Sequence, residues 1–195
     1  MISKEVTQFW DWIRININSL ESDKITNNFI NLLDNEIQKL GDFAWEIGYD
    51  DTVDKHFLTI SSEGNSESDK EIKTILSLAP KIDDWIFYSH KPPKQWKFIL
   101  ELLIDGVNVR FDANEWQYVI YKYPDNVYDI IIKVPLSYQI HEEYFYSMGL
   151  IAVSAELGEA FVNEYINDID LVFEFNENEK GKETSFKHLR SHILK

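Results

Sequence analysis

The chain has 195 residues, of which 44% are hydrophobic and 14% aromatic, and this composition excludes an intrinsically disordered chain. Its formal net charge is −15, from 19 basic and 34 acidic residues, which argues against nucleic acids and anionic membrane surfaces as partners. There is no cysteine, so a disulfide, a thiolate metal site and a cysteine nucleophile are excluded.

Targeting features are missing from the sequence. The first residues lack the basic start and apolar core of a signal peptide. No apolar run approaches the roughly 18 residues that are needed to span a bilayer. We therefore expect a cytoplasmic protein.

Two amphipathic helices are predicted at the N-terminus. Trp10 and Trp12 belong to the first, and because positions two apart on a helix diverge by about 200°, only one of them can face the core. The second covers residues 25–40, where apolar residues recur at steps of three and four. The two helices are expected to form a hairpin against a sheet.

Three strands and one helix are predicted in residues 43–90, the last two strands and the helix forming a strand–helix–strand unit. Residues 43–49 alternate in hydrophobicity, and residues 56–61 form a short apolar run, so both segments are predicted strands. Ser68 and Glu71 have the spacing of a capping box, which predicts the helix start. Residues 85–88 are the expected returning strand.

Antiparallel hairpins are predicted for the next part of the chain. Residues 98–103 and 107–111 flank the Asp-Gly turn at 105–106, a strong hairpin signal. Residues 116–122 and 127–134 are predicted to form a second strand pair around a Pro-Asp-Asn turn. These four strands indicate an antiparallel meander.

The remaining elements are two helices and a last strand. The first helix is predicted over residues 142–156. Two acidic residues in its first turn would interact favourably with the positive end of the helix dipole. Gly158 is expected to end it, a short helix around Phe161 follows, and residues 171–175 are the predicted last strand.

One α+β domain is predicted over residues 1–176. We expect a mixed, largely antiparallel sheet with an N-terminal helical hairpin, one strand–helix–strand unit and a C-terminal helix pair followed by a last strand. Residues 177–195 are interpreted as a polar linker and a short basic C-terminal helix or tail, docked or frayed.

Several short motifs resemble a family of uncharacterised bacterial proteins. They are the Phe-Trp-x-Trp start at residues 9–12, the Ile-Ser-Ser-Glu-Gly strand end at 60–64, the Ala-Pro step that leads to Trp85, and the Leu-Gly-Glu step at 157–159. The resemblance covers the chain to about residue 175. It implies a bacterial, cytoplasmic, single-domain protein and brings no known activity.

Nucleophile and cofactor motifs are missing, so no catalytic residue and no cofactor-binding or metal-binding residue is assigned. Ser61 and Ser62 lie where a strand enters a loop, but the sequence lacks Gly-x-Ser-x-Gly, Gly-x-Gly-x-x-Gly and the Walker pattern. Turn chemistry explains these serines as well. Asp50, Asp51 and Asp54 are oxygen ligands suited to a hard cation, but a solvated turn is favoured.

An acidic tract is the most distinctive feature of the charge pattern. Residues 140–176 contain eight acidic residues and no Lys or Arg, whereas residues 177–195 contain three acidic and five basic ones. A solvated surface is the simpler interpretation; the alternative is a docking surface for a basic protein. The expected partner-binding residues are Glu156, Glu159, Glu164, Asp168 and Asp170.

The leading hypothesis is therefore a non-enzymatic, acidic protein-binding module. One concrete version is an immunity-type inhibitor of a basic toxin. Two rivals stay open: a metal-assisted hydrolase that uses carboxylates with His56 or His90, and a structural or homo-oligomeric protein that associates through an exposed aromatic strand edge.

Overall fold

The computed structural model describes residues 4–21, 25–63 and 65–194, apart from the side chain of residue 66. The chain divides into two compact units, Met1–Lys91 and Pro92–Lys195. Helices and strands occur in both units, which confirms the α+β class. The boundary falls in the Pro-rich loop of residues 90–94. That residues 1–176 form one domain stays a prediction.

The first unit contains a three-stranded sheet in the order β1-β2-β3. β1 is antiparallel to β2, and β2 is parallel to β3, so the predicted strand–helix–strand unit is confirmed. Its elements are α1 (Lys4–Asn16), α2 (Asn27–Gln38), β1 (Ala44–Asp50), β2 (Lys55–Ser61), α3 (Ser66–Leu76) and β3 (Trp85–Tyr88).

The two tryptophans of α1 lie on different sides of the helix, as their spacing predicts. Trp10 is buried with Phe9 and Ile13, and its indole Nε1 donates a hydrogen bond to the carbonyl of Ile75, 3.0 Å away. Trp12 is only partly buried. A buried indole needs such an acceptor, so this bond ties α1 to the end of α3.

The start of α3 differs from the prediction. The N-cap is Asn65, whose side-chain oxygen accepts hydrogen bonds from the backbone N–H groups of Glu67 and Ser68 at 3.0 and 3.3 Å. The helix therefore begins three residues before the predicted Ser68. Asn is as good an N-cap as Ser, and it comes first along the chain.

The second unit contains the β4–β5 hairpin and a four-stranded sheet in the order β8-β7-β6-β9. The β6–β7 hairpin is antiparallel as predicted, but β8 is parallel to β7. The elements are β4 (Ile99–Ile104), β5 (Val107–Asp112), β6 (Gln117–Lys122), β7 (Tyr128–Lys133), α4 (Phe145–Leu157), α5 (Glu159–Tyr165), β8 (Ile166–Val172), β9 (Thr184–Ser185) and α6 (Leu189–Ile193).

The long helix of this unit begins later than expected. Residues 136–144 form 3-10 turns that are kinked at His141, whose ring lies edge-on to Phe111 at 5.3 Å. Because α4 starts only at Phe145, Glu142 and Glu143 lie outside its first turn. Gly158 ends α4 as predicted, with a φ of 83° that only glycine adopts freely.

The strand predicted over residues 171–175 lies earlier in the chain, since β8 covers Ile166–Val172. Its inward residues, Ile169 and Leu171, are buried, whereas Asp168 and Asp170, which alternate with them, are exposed. This alternation is that of a strand with one solvated face. The acidic residues in this segment made its alternation of buried and exposed positions hard to recognise in the sequence.

The C-terminal segment is docked onto the second unit. β9 pairs with β6, and the side chains of Phe186 and Leu189 are completely buried in the core of this unit. Two apolar residues three apart on a short helical stretch thus contribute to anchoring the end of the chain. Of the two alternatives for the tail, the described residues show the docked one.

Candidate functional site

The five predicted partner-binding residues do not share one surface. Glu164, Asp168 and Asp170 are exposed, whereas only 4% of Glu156 and 7% of Glu159 is accessible to solvent. A buried carboxylate is paired or hydrogen-bonded within the protein and is not free to meet a partner. The exposed members of the five lie in the last turn of α5 and in β8.

Glu156 belongs to an internal network at the end of α4. Its carboxylate accepts a hydrogen bond from Trp96 Nε1 at 2.7 Å, and the guanidinium of Arg190 lies 3.9 Å away. Arg190 also donates to the carbonyls of Glu156, Ala155 and Lys94 at 2.7, 3.1 and 2.8 Å. We call this network the C-terminal clasp, because it holds α6 against the end of α4.

The exposed acids of β8 meet a further carboxylate on the neighbouring strand. Asp129 of β7 pairs in register with Asp168, and Ile131 pairs with Asp170. We call Asp129, Asp168 and Asp170 the acidic face. Asp129 was missed from the sequence, because its proximity depends on the parallel pairing of β7 with β8, which periodicity does not reveal.

Tyrosines surround the acidic face. The hydroxyl of Tyr123 donates to Asp129 Oδ2 at 2.5 Å, and the side-chain amide of Asn167 donates to Asp129 Oδ1 at 2.9 Å. The pKa of Tyr123 is raised, first by this hydrogen bond. Tyr121 donates to the buried Glu179 at 3.3 Å. Of the three carboxylates of the acidic face, the side chains of Tyr123 and Asn167 therefore hold Asp129.

The described part of the chain supplies no basic side chain that neutralises the acidic face. Within residues 4–21, 25–63 and 65–194, no Lys or Arg forms an ion pair with Asp129, Glu164, Asp168 or Asp170. The pKa of Asp170 is raised by partial burial first and then by the negative charges of Asp168 and Glu179. A cation placed here would relieve both repulsions.

A second polar cluster lies at the carboxyl ends of the parallel strands β2 and β3. Ser62 donates to Asp69 Oδ1 at 2.5 Å, and His90 Nε2 is 3.7 Å from the same oxygen. Ser89 Oγ lies 2.9 Å from His90 Nδ1. Since 3.7 Å exceeds hydrogen-bonding distance, Asp69 does not orient the imidazole. The cluster ties the first turn of α3 to the strand ends.

The other residues considered for metal binding contact neighbouring side chains, and Nδ1 of His56 is buried without a hydrogen-bond partner among the described residues. The ring of His56 stacks on Trp85 at 5.3 Å, and Asp50 accepts hydrogen bonds from Thr52 and Tyr88. Asp54 accepts one from the hydroxyl of Tyr49. Among the side chains that the structure describes, no three of His, Asp or Glu come together as a set that could hold a metal ion.

Comparisons of the chain with protein-family models, with curated proteins and with solved structures give no match. The resemblance to a bacterial family therefore stays a prediction.

Within the described residues, no single helix is long and apolar enough to cross a membrane. Residues 136–157 and α5 pass that test only together, as a pair bent by 111°. α4, which forms residues 145–157 of this pair, is a core helix, with Met148, Ala152 and Val153 completely buried.

Proposed function

We propose that the chain is a non-enzymatic, acidic protein-binding module of the bacterial cytoplasm whose partner is a basic protein. The observation that carries this proposal is the acidic face, where Asp129 is held by Tyr123 and Asn167 and no carboxylate is paired with a cation from the described part of the chain. An immunity-type inhibitor of a basic toxin is its most concrete version.

Electrostatics supports an intermolecular role for this face. Asp168 and Asp170 repel each other, and the raised pKa of Asp170 means that its charged form is disfavoured in the free protein. A Lys or Arg of a partner replaces this repulsion by attraction. Charges of one sign on an exposed patch also steer an oppositely charged protein and raise its association rate.

Self-association through β8 is disfavoured by the same residues. β8 is an edge strand of its sheet, and edge strands can pair with a second copy of the chain. Such pairing would bring Asp168 and Asp170 close to the same acids of the other copy. Acidic residues on an edge strand therefore oppose a homo-oligomer and favour a basic partner.

The hydrolase that uses His56 or His90 stays the rival hypothesis. Elemental analysis of the purified protein separates the two, because a stoichiometric, tightly held metal ion would favour the hydrolase.

Isothermal titration calorimetry with a deca-lysine peptide tests the proposal on the full-length chain. The triple variant E164Q/D168N/D170N removes three negative charges. An exposed ion pair with a lysine of the peptide is worth about 0.5 kcal/mol, so the three together should cost about 1.5 kcal/mol, or roughly tenfold in affinity.

The matched control is E101Q/E142Q/E143Q, which removes three exposed charges of the same unit from other elements. We expect its affinity to stay within about twofold of that of the original chain. Equal losses in the two triple variants would mean that only the net charge matters, and they would refute a binding role for β8.

A further inference from the structure

A groove on the first unit lies between the outer sides of α1 and α2 and has a volume of about 410 Å³. Its apolar floor is Trp12 and Ile15, and its rim carries charged side chains. The rim residues are Glu5, Asp11, Glu36 and Lys39.

α1 carries apolar surface that is accessible in the groove. The helix buries Val6, Phe9, Trp10 and Ile13, and Trp12 packs against the core that they form but is only partly buried. Ile15 follows Trp12 by three residues on the outer side and is 82% exposed. Apolar residues scattered singly over a surface are normal. A partly exposed indole and an exposed isoleucine that line the same groove instead form a shared apolar surface.

The rim of the groove has a net charge of −1 when Arg14, the partner of Asp11, is counted with it. The ammonium of Lys39 lies 2.5 Å from Glu36, and Asp11 pairs with Arg14 at 3.1 Å, so these two carboxylates and two cations neutralise each other. Glu5 is exposed and makes no ion pair with any residue of the described ranges, so it supplies the excess negative charge. The face of an aromatic ring attracts a cation, and a carboxylate nearby adds to that attraction.

We propose that this groove binds an amphipathic segment of a basic partner, with an Arg side chain over the Trp12 indole and an apolar side chain on Ile15. Arginine fits better than lysine, because its planar guanidinium stacks on an aromatic ring while it donates to carboxylates such as Glu5. A second copy of the chain is disfavoured as the occupant, since each copy carries a net charge of −15. The inference rests on the proposed basic partner and adds an apolar anchor to it.

The test follows the indole N–H signal of Trp12 in the full-length chain by NMR. The probe is a 15-residue helical peptide with Arg and Leu four positions apart, and the control peptide has Glu in place of Arg. We expect a saturable shift with the Arg peptide only. A Trp12 signal that does not move, or that moves with protein concentration alone, would overturn the proposal.

Two variants add independent evidence. Trp12→Leu keeps an apolar floor but removes the π-system, and we expect about fivefold weaker binding of the Arg peptide. Glu5→Gln should weaken binding about twofold, whereas Glu71→Gln, which changes an exposed acid of α3, should not. Wild-type affinity in Trp12→Leu, or equal effects of the two Glu variants, would overturn the proposal.

The outcome is separable from that of the acidic face. If D168N/D170N leaves the Trp12 shift and the affinity for the Arg peptide unchanged, the groove binds the peptide on its own, and the role of β8 fails only if the affinity for deca-lysine is unchanged as well. If Trp12 does not respond while D168N/D170N weakens binding, the groove fails and the acidic face stands.

Discussion

Replacing Arg190 by Ala tests whether the C-terminal clasp stabilises the second unit. The guanidinium donates three hydrogen bonds to backbone carbonyls, two of them from the last turn of α4, where carbonyls lack helical partners. A buried hydrogen bond to a charged group is worth about 1.5–3 kcal/mol. Because 36% of this side chain is exposed, we take about 1 kcal/mol for each bond.

The expected loss is therefore about 3 kcal/mol in the free energy of unfolding of this unit. Urea denaturation measures it: with a slope of about 2 kcal/mol per M, the midpoint falls by about 1.5 M. Arg190→Lys should restore less than half of the loss, since one ammonium cannot reach three carbonyls as a fork does.

Arg14→Ala is the matched control for this measurement. Arg14 makes an ion pair with Asp11 in which both side chains are 58% exposed, so its removal should cost less than about 0.5 kcal/mol. If Arg190→Ala costs no more than Arg14→Ala, or if Arg190→Lys is as stable as the original chain, the reasoning about the clasp is refuted.

Two further substitutions test the turn after α4 and the acidic face. Gly158→Ala should lower the free energy of unfolding by about 2 kcal/mol or more, because φ at this residue is positive and the new Cβ would lie 2.9 Å from Pro93 Cδ. Gly106→Ala is the control: φ is similar but the space around the new Cβ is open, so the loss should be about 1 kcal/mol. Equal urea midpoints of the two variants would contradict this reasoning. Asp170→Asn should raise the midpoint at pH 7, because the raised pKa of Asp170 disfavours its charged form in the folded state. That gain should vanish below about pH 3.9, the unfolded-state pKa, where both side chains are neutral; a less stable variant at pH 7 would contradict the argument.

The result for Asp170 bears on function as well as on stability. If replacing Asp170 stabilises the free protein but weakens binding of a basic peptide, the residue contributes to the interaction at a cost in folding stability. Arg190 is the opposite case, since its contacts lie within the second unit.

Periodicity predicted the elements whose apolar residues recur on one side. The helix pattern separates Trp10 from Trp12, and the apolar run before residue 61 together with the returning strand at residue 85 gave the strand–helix–strand unit. Element ends were less certain, as the cap at Asn65 shows, because several residues near a helix start are able to cap it.

The candidate site was harder to predict, because local charge does not reveal burial. Glu156 and Asp168 look alike in the sequence, yet Glu156 is buried by Trp96, which is 60 positions away along the chain. Asp129 joins Asp168 only through the parallel pairing of β7 and β8. Both contacts depend on the tertiary structure, so neither charge counts nor hydrophobic periodicity can predict them.

The most direct test of the acidic face is an NMR titration of the isotope-labelled full-length chain with deca-lysine at physiological ionic strength. If β8 is the docking surface of the second unit, the largest amide shifts of that unit will fall in Ile166–Val172 and in the facing residues of β7. Shifts spread evenly over all exposed acidic residues, or an unchanged β8 beside shifts elsewhere in the unit, would contradict the proposed function.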